Sequence, residues 1–214
     1  ATVSALPKAG ISIMTYSEVS GSNSVGHGLD EKPELIIIKR RDSAEGWIVW
    51  HRDYTLPTTA ALYLNENYAT GASGSNLMTA VSDSTFTYTS VQYTSPVSKV
   101  AYCFHSVEGY SHVGFYEGNA DTDGGYAYTG FRPAWIMVKP RERVDNWFIH
   151  DNIRDPFNYT RRRLFPNLSS AENGAEAEST YGIDFLSNGF KIRASHTSTN
   201  ASNIAYVYLA FAEQ

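Results

Sequence analysis

The chain has 214 residues and a formal net charge of −5, with 17 Lys and Arg residues against 22 Asp and Glu residues. This acidic balance argues against nucleic acid as the partner, because binding to a phosphate backbone needs clustered positive charge. Only 18% of the residues are charged, while 15 Tyr, 10 Phe and 16 Gly are present, a composition typical of an all-β protein with many short turns.

Cys103 is the single cysteine, which excludes an intramolecular disulfide, and its apolar neighbours predict a buried thiol. The sequence has no run of about 18 apolar residues and no signal-like segment at its start, so we expect no membrane insertion. Since the chain begins at Ala1 rather than at Met, we interpret it as a processed protein or as a fragment of a longer one.

The stretch from Pro33 to Asp53 recurs from Pro133 to Asp155. Four residues of the first copy reappear 100 positions later without a gap: Pro33, Lys39, Arg41 and Trp47 correspond to Pro133, Lys139, Arg141 and Trp147. In each copy an apolar run, a polar turn-like cluster and a second apolar run predict a β-hairpin. Gly46 and Asn146 fall at the same place, and because both residue types tolerate positive φ we expect a left-handed residue there.

Short strands separated by turn signals continue along both halves and predict about seven strands in each half. We therefore expect an all-β, β-sandwich or jelly-roll-like architecture built from two pseudo-equivalent repeats. The predicted organisation is an N-terminal arm at residues 1–10, a first β repeat at residues 11–110 and a second at residues 111–214. Because the connection between the repeats is short and not of flexible composition, we expect them to pack as one rigid body. Two sandwiches side by side and two halves of one larger sandwich are both compatible with the pattern.

Trp50 is a candidate for stacking on a sugar, together with Tyr126 and Tyr128. It corresponds to His150 in the second copy, so we interpret it as free of the packing demand that the two copies share. Ordinary packing between the halves is the alternative for Trp50, whereas Trp47 and Trp147 are shared between the copies and are expected in the core.

Residues 119–124, with the sequence NADTDG, place oxygen-bearing side chains at alternate positions before a glycine, as in the opening of a calcium loop. The glutamate that would complete such a loop is absent, since Gly130 stands in its place. We interpret the segment as a polar turn that contributes Asp121 and Asp123 to ligand binding. A weakly bound calcium ion is the alternative, and we expect no other cofactor.

The six histidines are scattered and lie in neither a nucleophile elbow nor a zinc-protease motif. Pairs of carboxylates suited to glycoside cleavage could be chosen in any β domain of this size. We therefore predict no catalytic residues and a protein that is not an enzyme, with a polysaccharide-degrading enzyme as the least favoured alternative.

Several segments also match a known pattern in order: LIIIKRRDS, GWIVWH, VAYCFHSVEGYS, YTGFRPAWIMVK, RDPFN, GIDFLSNGFKIR and YVYLAFAE. Together they resemble a duplicated β domain of unknown function that recurs in tail-fibre-like and other structural proteins of tailed phages, especially marine ones. The similarity extends from about Gly10 to Glu213. The chain departs from the family pattern at Phe104-His105-Ser106, where Phe-Ala-Glu is usual.

This resemblance implies a non-enzymatic module on the virion surface, in the extracellular space, that binds a host-surface glycan or receptor. It also implies display in several copies, as a homo-oligomer in contact with other virion subunits. A purely structural fibre or decoration subunit that makes only protein–protein contacts is the alternative. A carbohydrate site would combine an exposed aromatic ring with loop carboxylates and amides, for which the candidates are Trp50, Tyr126, Tyr128, Asp121 and Asp123.

Overall fold

The structure, a computed structural model, describes residues 1–54, 58, 60–71, 76–90, 93–172 and 178–213. These residues form antiparallel β-sheets with a few short helical turns, which confirms the all-β prediction. They divide into two compact units: unit 1 comprises Ala1–Glu66 and Thr70–Val107, and unit 2 comprises Asn67–Ala69 and Glu108–Gln214. Within the described part of the chain, no helix is long and apolar enough to cross a membrane.

Unit 1 contains two sheets. The larger one has six strands in the order β1-β2-β9-β4-β5-β6, and the smaller one has three in the order β3-β8-β7. The strands of this unit are β1 (Thr2–Leu6), β2 (Ile11–Glu18), β3 (Gly21–Gly26), β4 (Leu35–Arg40), β5 (Ile48–His51), β6 (Leu62–Tyr63), β7 (Asn76–Val81), β8 (Thr85–Ser90) and β9 (Val97–Phe104).

The core of unit 1 lies between its two sheets, because alternate residues of each strand point to the same side. In β8, Phe86 and Tyr88 are buried while the alternating Thr85, Thr87 and Thr89 are half-buried. In β9 the buried positions include Ala101 and Cys103, and also Lys99. Burial raises the pKa of the Cys103 thiol to about 12, in agreement with the predicted buried cysteine.

Unit 2 also contains two sheets. Its larger sheet has the strand order β10-β16-β12-β13, and its smaller sheet has the order β11-β15-β14. The elements are β10 (Ser111–Glu117), β11 (Tyr126–Tyr128), β12 (Pro133–Pro140), β13 (Phe148–Asp151), α1 (Glu178–Tyr181), β14 (Ile183–Leu186), β15 (Gly189–Ile192), α2 (Thr197–Asn200) and β16 (Ala205–Ala212).

Aromatic rings fill much of the core of unit 2. Tyr116 and Tyr206 stack in parallel with their centroids 4.9 Å apart, and Phe190 meets Tyr116 edge-on at 5.8 Å. Both tyrosine hydroxyls donate to backbone oxygens at the α2 turn, Tyr116 to Thr199 at 2.8 Å and Tyr206 to Thr197 at 2.7 Å. The rings therefore bury apolar area without leaving their hydroxyl groups unpaired.

The two predicted hairpins are present, since β4 pairs with β5 and β12 pairs with β13 in antiparallel register. The predicted left-handed residue is wrong, because neither Gly46 nor Asn146 has a positive φ. Gly46 is needed for space instead: a Cβ atom there would lie 2.4 Å from Cδ1 of Tyr63.

The N-terminal segment predicted as an arm, residues 1–10, contributes an edge strand to the larger sheet of unit 1. β1 pairs with β2 along its whole length, from Thr2 opposite Thr15 to Leu6 opposite Ile11. The connection turns at Gly10, whose φ is +67°. A Cβ atom at Gly10 would lie 2.5 Å from the backbone oxygen of His105, so only glycine fits this turn.

His150 occupies on β13 the position that Trp50 occupies on β5, since His150 pairs with Ile136 and Trp50 pairs with Ile36. Its side chain is fully buried and meets Phe148 edge-on. Desolvation, followed by the nearby charges of Arg163 and Arg154, lowers the pKa of His150 to about 3. The core of unit 2 therefore encloses a neutral imidazole at neutral pH.

This neutral histidine predicts an acid-sensitive core. An unfolded histidine titrates near pH 6.5, so below that pH the unfolded chain binds a proton that the folded chain excludes. We expect the free energy of unfolding to fall between about pH 6.5 and pH 3 by up to roughly 1.4 kcal/mol per pH unit from this group. Urea unfolding across this range should show a shallower fall for His150→Phe. The exposed control His196→Asn, which keeps a helix-capping side chain, should follow the wild-type profile. Parallel profiles for wild type and His150→Phe would contradict the assignment.

Candidate functional site

Trp50, predicted as an exposed aromatic, lies in the core of unit 1. Its side chain is 2% exposed and packs in the apolar cluster between the two sheets. A ring enclosed in this way presents no face to a surface glycan, so its proposed role in sugar stacking is wrong. His150 is equally buried. Trp50 and His150, at matching positions of β5 and β13, thus each fill the core of their own unit, and neither is free of packing demands.

Tyr126 and Tyr128 lie on β11, which is an edge strand of the smaller sheet of unit 2. The strand alternates so that Ala127 is buried in the core while the two tyrosines point outward, 45% and 63% exposed. Strand pairing places Lys191 and then Asp184 in the row of Tyr126, and Gly189 and then Leu186 in the row of Tyr128. We call this outward surface the tyrosine face; it comprises Asp123, Tyr126, Tyr128, Asp184, Leu186, Gly189, Lys191 and Arg193.

Gly189 determines how Tyr126 lies on the tyrosine face. A Cβ atom at Gly189 would come within 2.8 Å of the Tyr126 hydroxyl oxygen, so the ring crosses the space that a larger residue would fill. The Tyr126 hydroxyl lies 3.0 Å from the backbone oxygen and 2.7 Å from the side-chain oxygen of Asn188. The pKa of Tyr126 is raised, chiefly by partial desolvation and to a smaller extent by the electrostatic effect of neighbouring Tyr128. The Tyr126 ring is thus fixed along the sheet surface.

The charged groups of the tyrosine face are paired with each other. Lys191 Nζ lies 2.6 Å from the Asp123 carboxylate, and Arg193 lies 3.6 Å from the same carboxylate and 3.5 Å from Asp184. The hydrogen bond and charge of Lys191 lower the pKa of Asp123. Two cations therefore balance two anions, and these groups leave the face without net charge.

In the loop that precedes β11, side-chain oxygens of Asn119, Asp121 and Asp123 have partners within the protein. The Asn119 side-chain oxygen accepts from the Asp121 N–H at 3.0 Å and from the Asn200 amide at 2.8 Å. Asp121 accepts from the Asp123 N–H at 2.9 Å, and Asp123 is paired with Lys191. These oxygens therefore bind donors of the protein. Throughout the described residues, no group of three or more His, Cys, Asp or Glu side chains is gathered as a metal-ligand set.

The structure thus brings together three of the five predicted site residues, Tyr126, Tyr128 and Asp123, with Asp121 in the adjacent turn. Sequence reasoning missed Asp184, Lys191 and Arg193. A signal for the first two was present: in GIDFLSNGFKIR the apolar residues alternate on both sides of the turn at Ser187-Asn188, which predicts a hairpin with Asp184 and Lys191 on its outer side. Their pairing with Asp123 depends on tertiary structure that this local pattern does not contain.

Unit 1 has a different surface on its smaller sheet. On β3 and β8 the outward side chains are Ser22, Ser24, Thr85, Thr87 and Thr89. The Thr87 hydroxyl donates to that of Ser24 at 3.2 Å. No aromatic ring projects outward from these two strands, so this surface can form hydrogen bonds but offers no ring for stacking.

An acidic groove of about 490 Å³ also opens on unit 1. Two of its acids are occupied by intramolecular partners: Glu34 accepts from Arg52 and from the Ser106 N–H, and Asp53 pairs with His51. The groove is lined by Asp30, Glu31, Lys32, Pro33, Glu34, Arg52, Asp53 and Asp83. Because Glu34 and Asp53 already have these partners, the groove gives no specific indication of a catalytic carboxylate pair.

Comparison with known proteins identifies the family to which the chain belongs. No curated protein and no solved structure matches the chain. The model of a family described as a domain of unknown function, DUF7483, matches residues 1–214. Because this match covers the entire sequence, the chain belongs to the DUF7483 family.

Proposed function

We propose that the chain is a non-enzymatic adhesion module of a virion surface, and that the tyrosine face of unit 2 binds a host-surface glycan. The observation that carries the proposal is the pair of outward-facing rings, Tyr126 and Tyr128, on one short strand beside fixed polar groups. An aromatic ring covers the C–H face of a pyranose, while neighbouring polar side chains hold its hydroxyl groups. Both kinds of group are present within three adjacent strands.

The charge of the tyrosine face favours an uncharged sugar. Lys191 and Arg193 are already engaged by Asp123 and Asp184, so an anionic glycan would have to displace a carboxylate to reach either cation. The paired side chains still have acceptor and donor positions for sugar hydroxyls. We therefore infer that neutral hexoses are preferred over sulfated or sialylated glycans.

We further propose that the two units are copies of one ancestral fold. The strand order supports this, because the series β2-β9-β4-β5 in the larger sheet of unit 1 matches the series β10-β16-β12-β13 in that of unit 2. The smaller sheets, β3-β8-β7 and β11-β15-β14, also follow one order. In this view unit 2 carries the glycan site, while homo-oligomer formation and contacts with other virion subunits belong to the remaining surface.

Glycan arrays and whole-cell binding of the purified chain test the main proposal. We expect Tyr128→Ala to weaken binding to the selected glycan roughly tenfold or more, since one stacked ring contributes about 1 kcal/mol beyond its buried area. Tyr68→Ala, which removes a tyrosine of similar exposure outside the tyrosine face, is the matched control and should bind as wild type. Binding that is equally strong in both variants would remove the tyrosine face from the site.

The absence of all binding on arrays and cells would contradict the adhesion proposal. Together with a single assembled species on size-exclusion chromatography, it would instead support a purely structural subunit. Release of reducing ends from host polysaccharide would show that the chain cleaves glycans and would contradict the proposal that it is not an enzyme.

Calcium removal provides an independent prediction. Because Asp123 is held by Lys191, and one side-chain oxygen each of Asn119 and Asp121 accepts from a backbone N–H, we expect glycan affinity to be the same in EDTA and in excess calcium. Titration of one glycan by calorimetry in both buffers measures this. A loss of affinity in EDTA that Asp121→Asn reproduces would show that the loop does bind the ion.

A further inference from the structure

Unit 1 contains an amine and a carboxylate in contact inside its core. Lys99 on β9 and Glu18 at the end of β2 are 1% and 0% exposed. Lys99 Nζ lies 3.4 Å from Glu18 Oε2. The two strands are neighbours in the larger sheet, with Lys99 directly opposite Tyr16. Such an ion pair is expensive to desolvate, and replacement by neutral groups is often stabilising.

Amide formation needs a proton acceptor beside the amine and a hydrogen-bond donor on the carboxyl oxygen, and Glu45 and Tyr88 lie in these two positions. Glu45 Oε2 lies 3.2 Å from Lys99 Nζ and is positioned to accept a proton from it. The Tyr88 hydroxyl donates to Glu18 Oε2 at 2.8 Å, where it would stabilise negative charge on that oxygen. Burial raises the pKa of Tyr88, so this donor keeps its proton.

The two carboxylate oxygens of Glu18 differ in their hydrogen bonding, since Oε2 has the partners described above and Oε1 does not. Among the described residues Oε1 has no hydrogen-bond partner although it is buried, and the same is true of the nearby Trp50 Nε1–H. Glu18, Trp50, Tyr88 and Lys99 line a common cavity of about 20 Å³. One water molecule needs roughly 10–15 Å³ of such space. Glu18 therefore lies beside a cavity large enough to hold one water molecule, the product that Oε1 would form on leaving the carboxyl group.

We propose that Lys99 and Glu18 condense spontaneously to an intramolecular isopeptide bond that joins β2 to β9. The Nζ–Cδ bond forms and the Cδ–Oε1 bond breaks. Of the three ammonium protons, one stays on the amide nitrogen and two leave with Oε1 as water. The reaction needs no oxidant and no co-reactant, since an ammonium and a carboxylate give an amide and water. It removes two buried charges and the unpaired oxygen in one step.

Proximity accelerates the reaction, because an amine and a carboxyl group that are held in contact react at an effective concentration far above that of free partners. Desolvation acts to lower the pKa of Lys99, but the hydrogen bond to Tyr93 and the charges of Glu18 and its neighbours raise it overall. The ion pair is therefore the resting form, and the bond forms slowly after folding.

Unit 2 serves as an internal comparison. Gly118 stands 100 positions after Glu18, and Tyr206 pairs with Tyr116 as Lys99 pairs with Tyr16. Unit 2 has another buried lysine, Lys139, but its Nζ donates to the backbone oxygens of Pro140 and Arg143. The proposed bond is thus specific to unit 1.

Mass spectrometry of the denatured full-length chain tests the proposal directly. Wild type, kept folded until its mass is constant, should be lighter than its sequence by one water molecule. Trypsin should fail to cleave after Lys99 and should release a branched peptide that links the Glu18 and Lys99 segments. Lys139→Arg should lose water as wild type does. Lys99→Arg, which keeps the charge but lacks the amine, should retain the full mass.

Because Lys99→Arg could perturb folding, the wild-type mass alone decides the outcome. A folded wild-type chain that stays at its full sequence mass overturns the proposal. A loss of water that maps to a linear peptide, as from a cyclic imide at Asp123-Gly124, overturns it as well.

Discussion

Alternation along the strand is the constraint on which the rest of this structure depends. Each smaller sheet can bury only one face against its larger partner, so every second residue of β3, β8, β11 and β15 is assigned to the surface. In unit 1 this rule exposes serine and threonine, and in unit 2 it exposes tyrosine, lysine and aspartate. The two smaller sheets therefore differ in surface chemistry although their strands follow the same order.

The two units also differ inside. The core of unit 2 is aromatic and its tyrosine hydroxyls reach backbone oxygens. In unit 1 the corresponding region holds Glu18, Lys99 and Tyr88, which satisfy one another incompletely. Polar groups in a core are costly unless they are fully paired. The buried cluster of Glu18, Lys99 and Tyr88 in unit 1 is therefore an arrangement that packing alone does not favour.

The sequence was informative about local structure and about little that depends on sheet packing. The repeated hairpins could be predicted because apolar runs and turn residues are local signals, as β4-β5 and β12-β13 show. The burial of Trp50 does not follow from the sequence, because a period of two places Trp50 and Val49 on opposite faces of the strand without saying which face is covered; both residues are buried. The reason for glycine at position 46 is likewise absent from the local sequence, because the ring that fills the space beside it belongs to Tyr63, on the separate strand β6.

The candidate site was predictable to a similar extent. Tyr126 and Tyr128 follow from alternation within β11, and Asp184 and Lys191 could have been read from the hairpin that contains them. The pairing of Asp123 with Lys191, and of Glu18 with Lys99, joins positions far apart in the chain. Such pairs depend on which strands become neighbours, and a single sequence does not supply that order.

The hydroxyl-bearing surface on β3 and β8 has a practical consequence. Its outward positions form regular cross-strand rows, such as Ser24 opposite Thr87 and Ser22 opposite Thr89. These side chains are small, lie outside the core and can be replaced with little effect on packing. Tyrosines and charged residues grafted onto these rows would give unit 1 a surface of the same chemistry as the tyrosine face, so that the proposed glycan site would be present once in each unit.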